Sequence, residues 1–174
     1  MMMRALSLTQ PWANMVAQGR KTIETRRWST VYRGWFLVCS TKELAEGCPG
    51  PYGVALAVAG LVDCRRMVVA DEARAQCRAY PGAFAWLLDG VQALPPDAQF
   101  PVRGQPGMFA APVPPAHERL IRSLIETARG GKPIDIRTVV GFFDVQCRHC
   151  GKRFGWYGRL ADRPPCPRCG TGPT

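Results

Sequence analysis

The chain has 174 residues, 47% of them hydrophobic, with 23 basic and 13 acidic side chains and a formal net charge of +10. That length can bury one core plus a small appendage, which predicts a single domain of roughly 110 to 130 residues with an accessory element. No apolar run approaches the ~18 residues of a membrane span and the start lacks the apolar centre of a signal peptide, so a cytoplasmic protein with no membrane partner is expected, or a nuclear one in a cell that has a nucleus.

In chain order, the alternation at residues 6–8 predicts a short strand, and Pro11 suits the first turn of a helix with Trp12, Met15 and Val16 on one face. Gly19 is the natural stop of that helix. Residues 19–28 then hold both signs of charge and one aromatic. If they form a strand, Thr22, Glu24 and Arg26 share one side and Lys21, Ile23, Thr25 and Arg27 the other. A carboxylate among cations stays ionised and can hold Arg26 or Lys21 in a fixed pose for a polar, phosphate-bearing or base-bearing ligand.

Residues 33–40 read as a second strand, residues 47–51 as a loop, and residues 53–64, the longest apolar run, as a central strand. A short helix capped by Asp71 runs to about Ala79, where Pro81 and Gly82 break the pattern. A strand resumes at residues 84–89 and a loop follows at residues 101–107. The prolines at 112, 114 and 115 mark a boundary. Leu120, Ile121, Leu124, Ile125 and Ala128 then form an apolar helical stripe, with Arg119, Arg122 and Arg129 as a solvated opposite face. Residues 138–146 read as a strand entering the last module. Several short strands with few helices predict an α+β, β-rich fold, a partly open barrel.

Four of the eight cysteines have a deciding spacing. Cys147 and Cys150, then fifteen residues, then Cys166 and Cys169, match the two knuckles of a structural zinc ribbon. Two intervening residues let both thiolates of a turn reach one tetrahedral Zn2+ ion, and Gly151 and Gly170 supply the tight turns. One zinc ion per chain is predicted, with His149 a bystander. Cys39 and Cys64 end apolar runs and read as buried, inert thiols, whereas Cys48 and Cys77 share no spacing with them. With only His117 and His149 in the chain, cysteine or serine hydrolysis aided by histidine is disfavoured. Residues 1–112 carry 12 basic and 8 acidic side chains, residues 113–174 carry 11 and 5. In the tail, Arg148, Lys152, Arg153, Arg159, Arg163 and Arg168 interleave with Phe154, Trp156 and Tyr157, a mixture that suits single-stranded nucleic acid or, for the rings, half of a small core.

Residues 7–13 (Ser-Leu-Thr-Gln-Pro-Trp-Ala), the Gly-x-Lys-x-x-Glu-x-Arg core at Gly19, Lys21, Glu24 and Arg26, and Tyr32-Arg33-Gly34 together resemble an ASCH domain, in the branch of the activating signal cointegrator. The strand at 53–64, the Ala85-Trp86-Leu87 strand and the 102–109 closing loop and strand also fit. The resemblance covers about residues 4–112. It implies a PUA-like, partly open β-barrel with flanking helices and a cleft beside residues 19–28. Residues 113–137 then form a linker and a helix packing on the barrel, and residues 138–174 the zinc ribbon. It further implies binding of RNA or DNA, RNA before DNA, or hydrolysis of N4-acetylcytidine or of RNA. In the amidohydrolase members the motif lysine works with a threonine three positions on, where this chain has Glu24.

Two functions of different class follow. In the first, a noncatalytic nucleic-acid module, Lys21, Arg26, Arg27, Trp28, Tyr32, Arg33, Arg103, Gln105 and Arg153 contact phosphates and bases, and Glu24 orients the cations. In the second, a hydrolase acting on a modified nucleoside or on RNA, Lys21 polarises the scissile group and Glu24 manages the proton. A third reading makes the charged cluster a salt-bridge brace in an adaptor with a protein partner.

Overall fold

The apolar run near the middle of the chain becomes the centre of a sheet, because a strand with both faces apolar is stable only with neighbours on each side and cover above and below. In the computed structural model this strand is β4 (Ala55–Arg66), buried continuously from Ala55 to Leu61. The structure describes residues 1–130, 140–147, 149–151, 153–159 and 165–171, and for 140–146 and 153–159 it describes the backbone. The other elements of the main sheet are β1 (Met2–Leu8), β2 (Ile23–Arg26), β3 (Gly34–Ser40), β5 (Phe84–Ala93) and β6 (Met108–Pro112). Among the described residues three α-helices accompany them: α1 (Trp12–Ala17), α2 (Glu72–Ala75) and α3 (Pro115–Ala128).

The six strands form one mixed sheet in the order β2-β5-β4-β3-β1-β6, which is not closed into a barrel. Only β1 and β3 run parallel, with Ser7 opposite Cys39 and Leu8 opposite Ser40. The connection between them carries α1 and the charged segment, so the first motif of the sequence sits beside the end of that parallel pair. Leu37, Cys39, Val58, Phe100, Phe109 and Ile121 belong to the main core cluster. Ile121 brings α3 to it, with Leu124 and Ile125 alongside, while Arg119 and Arg122 are exposed.

Four expectations are corrected here. Arg129 is not on a solvated face: it is half-buried, its guanidinium 5.7 Å from the Trp35 ring centre. Cys64 is half-buried, because it lies beyond the part of β4 that is covered, whereas Cys39 is fully buried and its thiol is pushed up to about 12 by burial. The helix after Val68 is one turn, ending where Gln76 turns left-handed at φ 54° rather than at Ala79. Asp71 does not cap that helix. Its carboxylate instead takes both terminal nitrogens of Arg65, each at 2.7 Å, and the Val68 N–H at 2.9 Å. A bidentate guanidinium offers a carboxylate more than one helix N–H does.

By its contacts the chain divides into two compact units: Met1–Ser29 with Gly34–Lys132, and Thr30–Arg33 with Pro133–Thr174. The second unit contains the antiparallel pair β7 (Val140–Gln146) and β8 (Arg153–Arg159), in a register that sets Gln146 opposite Arg153. Arg148, Lys152 and Arg163 lie outside the described residues. No helix among the described residues is long and apolar enough to cross a membrane.

Candidate functional site

After α1 the backbone reverses through Gly19, whose φ of 72° is left-handed, and the Met15 carbonyl accepts the N–H of both Arg20 and Lys21. That turn delivers Lys21 inward before β2 begins. Its ammonium donates to the Ala75 carbonyl at 2.5 Å, lies 3.5 Å from Glu24 Oε2, and stands 5.2 Å from the ring centre of Trp12. Glu24 is the second residue of β2. Its other oxygen, Oε1, is 3.2 Å from Arg26 Nε, an ion pair without an aligned hydrogen bond, since that Nε has no hydrogen-bond partner.

Lys21 is 2% exposed and Glu24 6%. A charge that deep is tolerated only when paired, and the carboxylate shared by two cations provides the pairing. Strict strand alternation places Lys21 and Glu24 on opposite faces, and this is corrected by the structure. The strand starts only at Ile23, so Lys21 belongs to the preceding turn, and its long stem reaches Glu24 at i,i+3.

The triad lies on a cleft of about 850 Å³. Its lining includes Lys21, Glu24, Thr25 and Arg26 from the charged segment. Ser7, Leu8, Thr9 and Trp12 come from the end of β1 and from α1, Thr41, Lys42 and Glu43 follow β3, Cys77 and Tyr80 follow α2, and residues 103–107 form a loop. Four cations and two carboxylates face it, leaving positive charge. The Lys42 stem packs across Gly53, where an added Cβ would stand 2.9 Å from Lys42 Cγ. The opening is large enough for a nucleotide-sized ligand.

Of the residues expected at a nucleic-acid surface, Lys21, Arg26, Arg103 and Gln105 line this cleft; Arg27, Trp28, Tyr32 and Arg33 do not. Arg27 is exposed and lies over the ring of Tyr80, a cleft residue, at 5.6 Å. Trp28 is 40% exposed and meets Trp86 edge to face at 4.6 Å, while the Trp86 indole N–H donates to the Trp28 carbonyl. Tyr32 and Arg33 fall in the second unit, where the Arg33 guanidinium donates to the carbonyls of Thr30 and Tyr32. The backbone of Arg153 opens β8; its side chain lies outside the described residues.

Sequence reasoning missed Ser7, Thr41, Lys42 and Tyr80 as cleft residues. The available signal was topological: ligands gather beyond the carboxyl ends of adjacent parallel strands, and Ser7 and Thr41 stand at the ends of the parallel pair.

The second candidate centre is the cysteine cluster. The four Sγ atoms of Cys147, Cys150, Cys166 and Cys169 lie within 4.8 Å of one another, and could hold a metal ion. Cys147 to Cys169 and Cys150 to Cys166 are each 3.7 Å apart. A regular tetrahedron of sulfurs about 2.3 Å from a central zinc has edges of about 3.8 Å, so these separations fit an ion and exceed any disulfide. Gly151 and Gly170 both take φ of 70° and donate back to the carbonyls of Cys147 and Cys166, closing each knuckle. The hydroxyl of Thr171, 3.3 Å from Cys169 Sγ, and the Thr171 backbone N–H hold that thiol down to about 6. Burial raises the Cys166 thiol, but the N–H groups of Arg168 and Cys169, together with the Cys150 and Cys147 thiols, bring the net direction down. His149 is exposed and outside the cluster.

A family model described as the ASCH domain matches residues 6–96. No curated protein matches the chain. Among solved structures, the ASCH protein of Zymomonas mobilis is similar at 18% identity, covering 70% of this chain and 94% of that one with a TM-score of 0.45. Two mutant forms of the same Zymomonas mobilis protein match at 19% identity and a TM-score of 0.42, each covering 70% of this chain and 96% or 94% of theirs.

Proposed function

The chain belongs to the ASCH domain family, and from that premise we propose that its cleft binds nucleic acid, RNA in preference to DNA. ASCH domains, which have a PUA-like fold, are associated with RNA binding. The single observation that carries the reading for this chain is the cleft itself: an open, cation-rich space against the family motif, with Arg26, Lys42 and Arg103 available to phosphate and Trp12 and Tyr80 offering flat faces. Lys21 acts here mainly by position. Its ammonium is committed to Ala75 and Glu24, so it supplies field and shape to the floor while Arg26 and Arg103 make contact. Arg27 and Trp28 extend the surface outside the cleft.

The four cysteines hold one structural Zn2+, which fixes the two knuckles and presents basic residues such as Arg168 as a second contact surface. When bound, the ion supplies folding energy to this small unit.

The test is titration of short RNA and DNA oligonucleotides at two salt concentrations. Binding that weakens steeply with salt, favours RNA and falls in Arg103→Ala supports the proposal; no binding at low salt rejects it. The hydrolytic reading has one specific support, the Lys21–Glu24 pair at the cleft floor. Turnover of N4-acetylcytidine or cleavage of RNA, abolished by Lys21→Ala in a folded variant, would establish that reading instead.

A further inference from the structure

We propose that one corner of the cleft, built from Ser7, Arg26 and Gly104, is a phosphate subsite that fixes where a nucleotide sits. This rests on the nucleic-acid reading of the same cleft and names the group that the corner takes. Ser7 Oγ is buried and has no hydrogen-bond partner, although its residue lines an open cleft. A buried hydroxyl without a partner is destabilising, and a ligand that completes its hydrogen bond is favoured there.

The surroundings of that hydroxyl select the ligand chemistry. Arg26 is anchored by its Nη2, which donates to the Ser7 carbonyl at 3.1 Å, and by Glu24 at its Nε. The guanidinium is therefore held beside Ser7, with Nη1 uncommitted among the described residues. Gly104 closes the corner from the loop. A Cβ built on it would stand 2.8 Å from Ser7 Oγ, so only glycine lets the loop approach the hydroxyl this closely. Arg103, next along the loop, also lines the cleft.

The two side chains of the corner can both donate, the Ser7 hydroxyl and the Arg26 guanidinium, and the guanidinium can only donate. A base edge presents donors and acceptors together and would leave one of its donors facing Arg26. A phosphate presents acceptors alone and carries the complementary charge. Glu24 does not oppose it, because its two oxygens are already turned to Lys21 and Arg26.

The experiment compares cytidine, cytidine 5′-monophosphate, inorganic phosphate and a short RNA oligonucleotide on the full-length protein by calorimetric or NMR titration. The monophosphate is expected to bind roughly tenfold or more tightly than the nucleoside, with inorganic phosphate competing for the difference. Ser7→Ala should remove about fivefold to tenfold of the monophosphate affinity and change cytidine affinity less than about twofold. Gly104→Ala should do the same by driving a methyl group against the hydroxyl. Thermal unfolding of Ser7→Ala should be unchanged or slightly raised, since the hydroxyl has no partner to lose and its burial is relieved; a clear destabilisation would assign it a structural role and overturn the proposal. Equal affinity for nucleoside and monophosphate, or equal losses for both in Ser7→Ala, would overturn it too. Oligonucleotide binding with no phosphate preference rejects this subsite while leaving the nucleic-acid reading intact. Phosphate-selective binding of the monophosphate without oligonucleotide binding does the reverse.

Discussion

Glu24→Gln isolates what the buried charge pair contributes. The substitution keeps size and shape but leaves the Lys21 ammonium, 2% exposed, without a counter-charge, its partners reduced to the Ala75 carbonyl, the face of Trp12 and a neutral amide oxygen. Breaking a buried pair from one side costs about 3–5 kcal/mol because the remaining charge is uncompensated. Arg26 adds less to that cost, because its side chain is 28% exposed and its Nη2 keeps the Ser7 carbonyl, although its Nε is buried. The expectation is therefore about 3 kcal/mol, a fall of roughly 10 °C in the midpoint of a unit this size. Lys21→Met should cost less, about 1–2 kcal/mol, because Glu24 keeps Arg26 at 3.2 Å. In the Lys21→Met background Glu24→Gln no longer strands an ammonium, so the double variant should fall short of the sum by at least about 1 kcal/mol. Urea unfolding of the four proteins at constant slope measures all three values. Additivity within about 0.5 kcal/mol, or a neutral Glu24→Gln, would refute the idea that Lys21 is buried against this carboxylate.

Asp71 supplies a pH-dependent test. The Arg65 guanidinium, then the Val68 N–H, hold its carboxyl down to about 2 against an ordinary value of 3.8. A depressed folded value means that its stabilisation, about 2 kcal/mol, is complete above the unfolded value and is lost as pH falls from about 4 toward 2. Asp71→Asn should lower stability at pH 7 by about that amount and flatten the acid limb of the stability curve, as followed by urea unfolding across pH. Gly90→Ala should be destabilising by about 2 kcal/mol or more, since φ is 58° there and the new Cβ would meet Trp35 Cη2 at 2.7 Å; thermal unfolding checks it. Metal analysis should return about one zinc per chain, and Cys150→Ser should reduce it well below that in a protein whose larger unit still melts normally.

The parts of this molecule that were legible in the sequence are those whose physics is local. β4 announced itself because seven consecutive buried residues must be apolar, and the cysteine knuckles because tetrahedral coordination requires their spacing. The Gly-Lys-Glu-Arg core was visible as chemistry, but its geometry was not. Alternation put Lys21 and Glu24 back to back, and only the Gly19 turn and the late start of β2 bring them within 3.5 Å. The cleft walls depended on pairing between distant segments: Ser7 and Thr41 become neighbours of one space because β1 and β3 run parallel, and nothing near either residue encodes that pairing. Asp71 had the look of a helix cap, and its choice of Arg65 over a short helix was decided by a bidentate contact across the β4 end.

The central claim is that nucleic acid enters the cleft beside the charged segment. Amide chemical shifts recorded while a short RNA is titrated test it most directly. The largest changes should fall on residues 7–9, 21–26, 41–43 and 103–107, and Arg103→Ala should weaken them together. Changes confined to the exposed face of α3 or to the cysteine knuckles, with the cleft amides unmoved at saturating RNA, would contradict it.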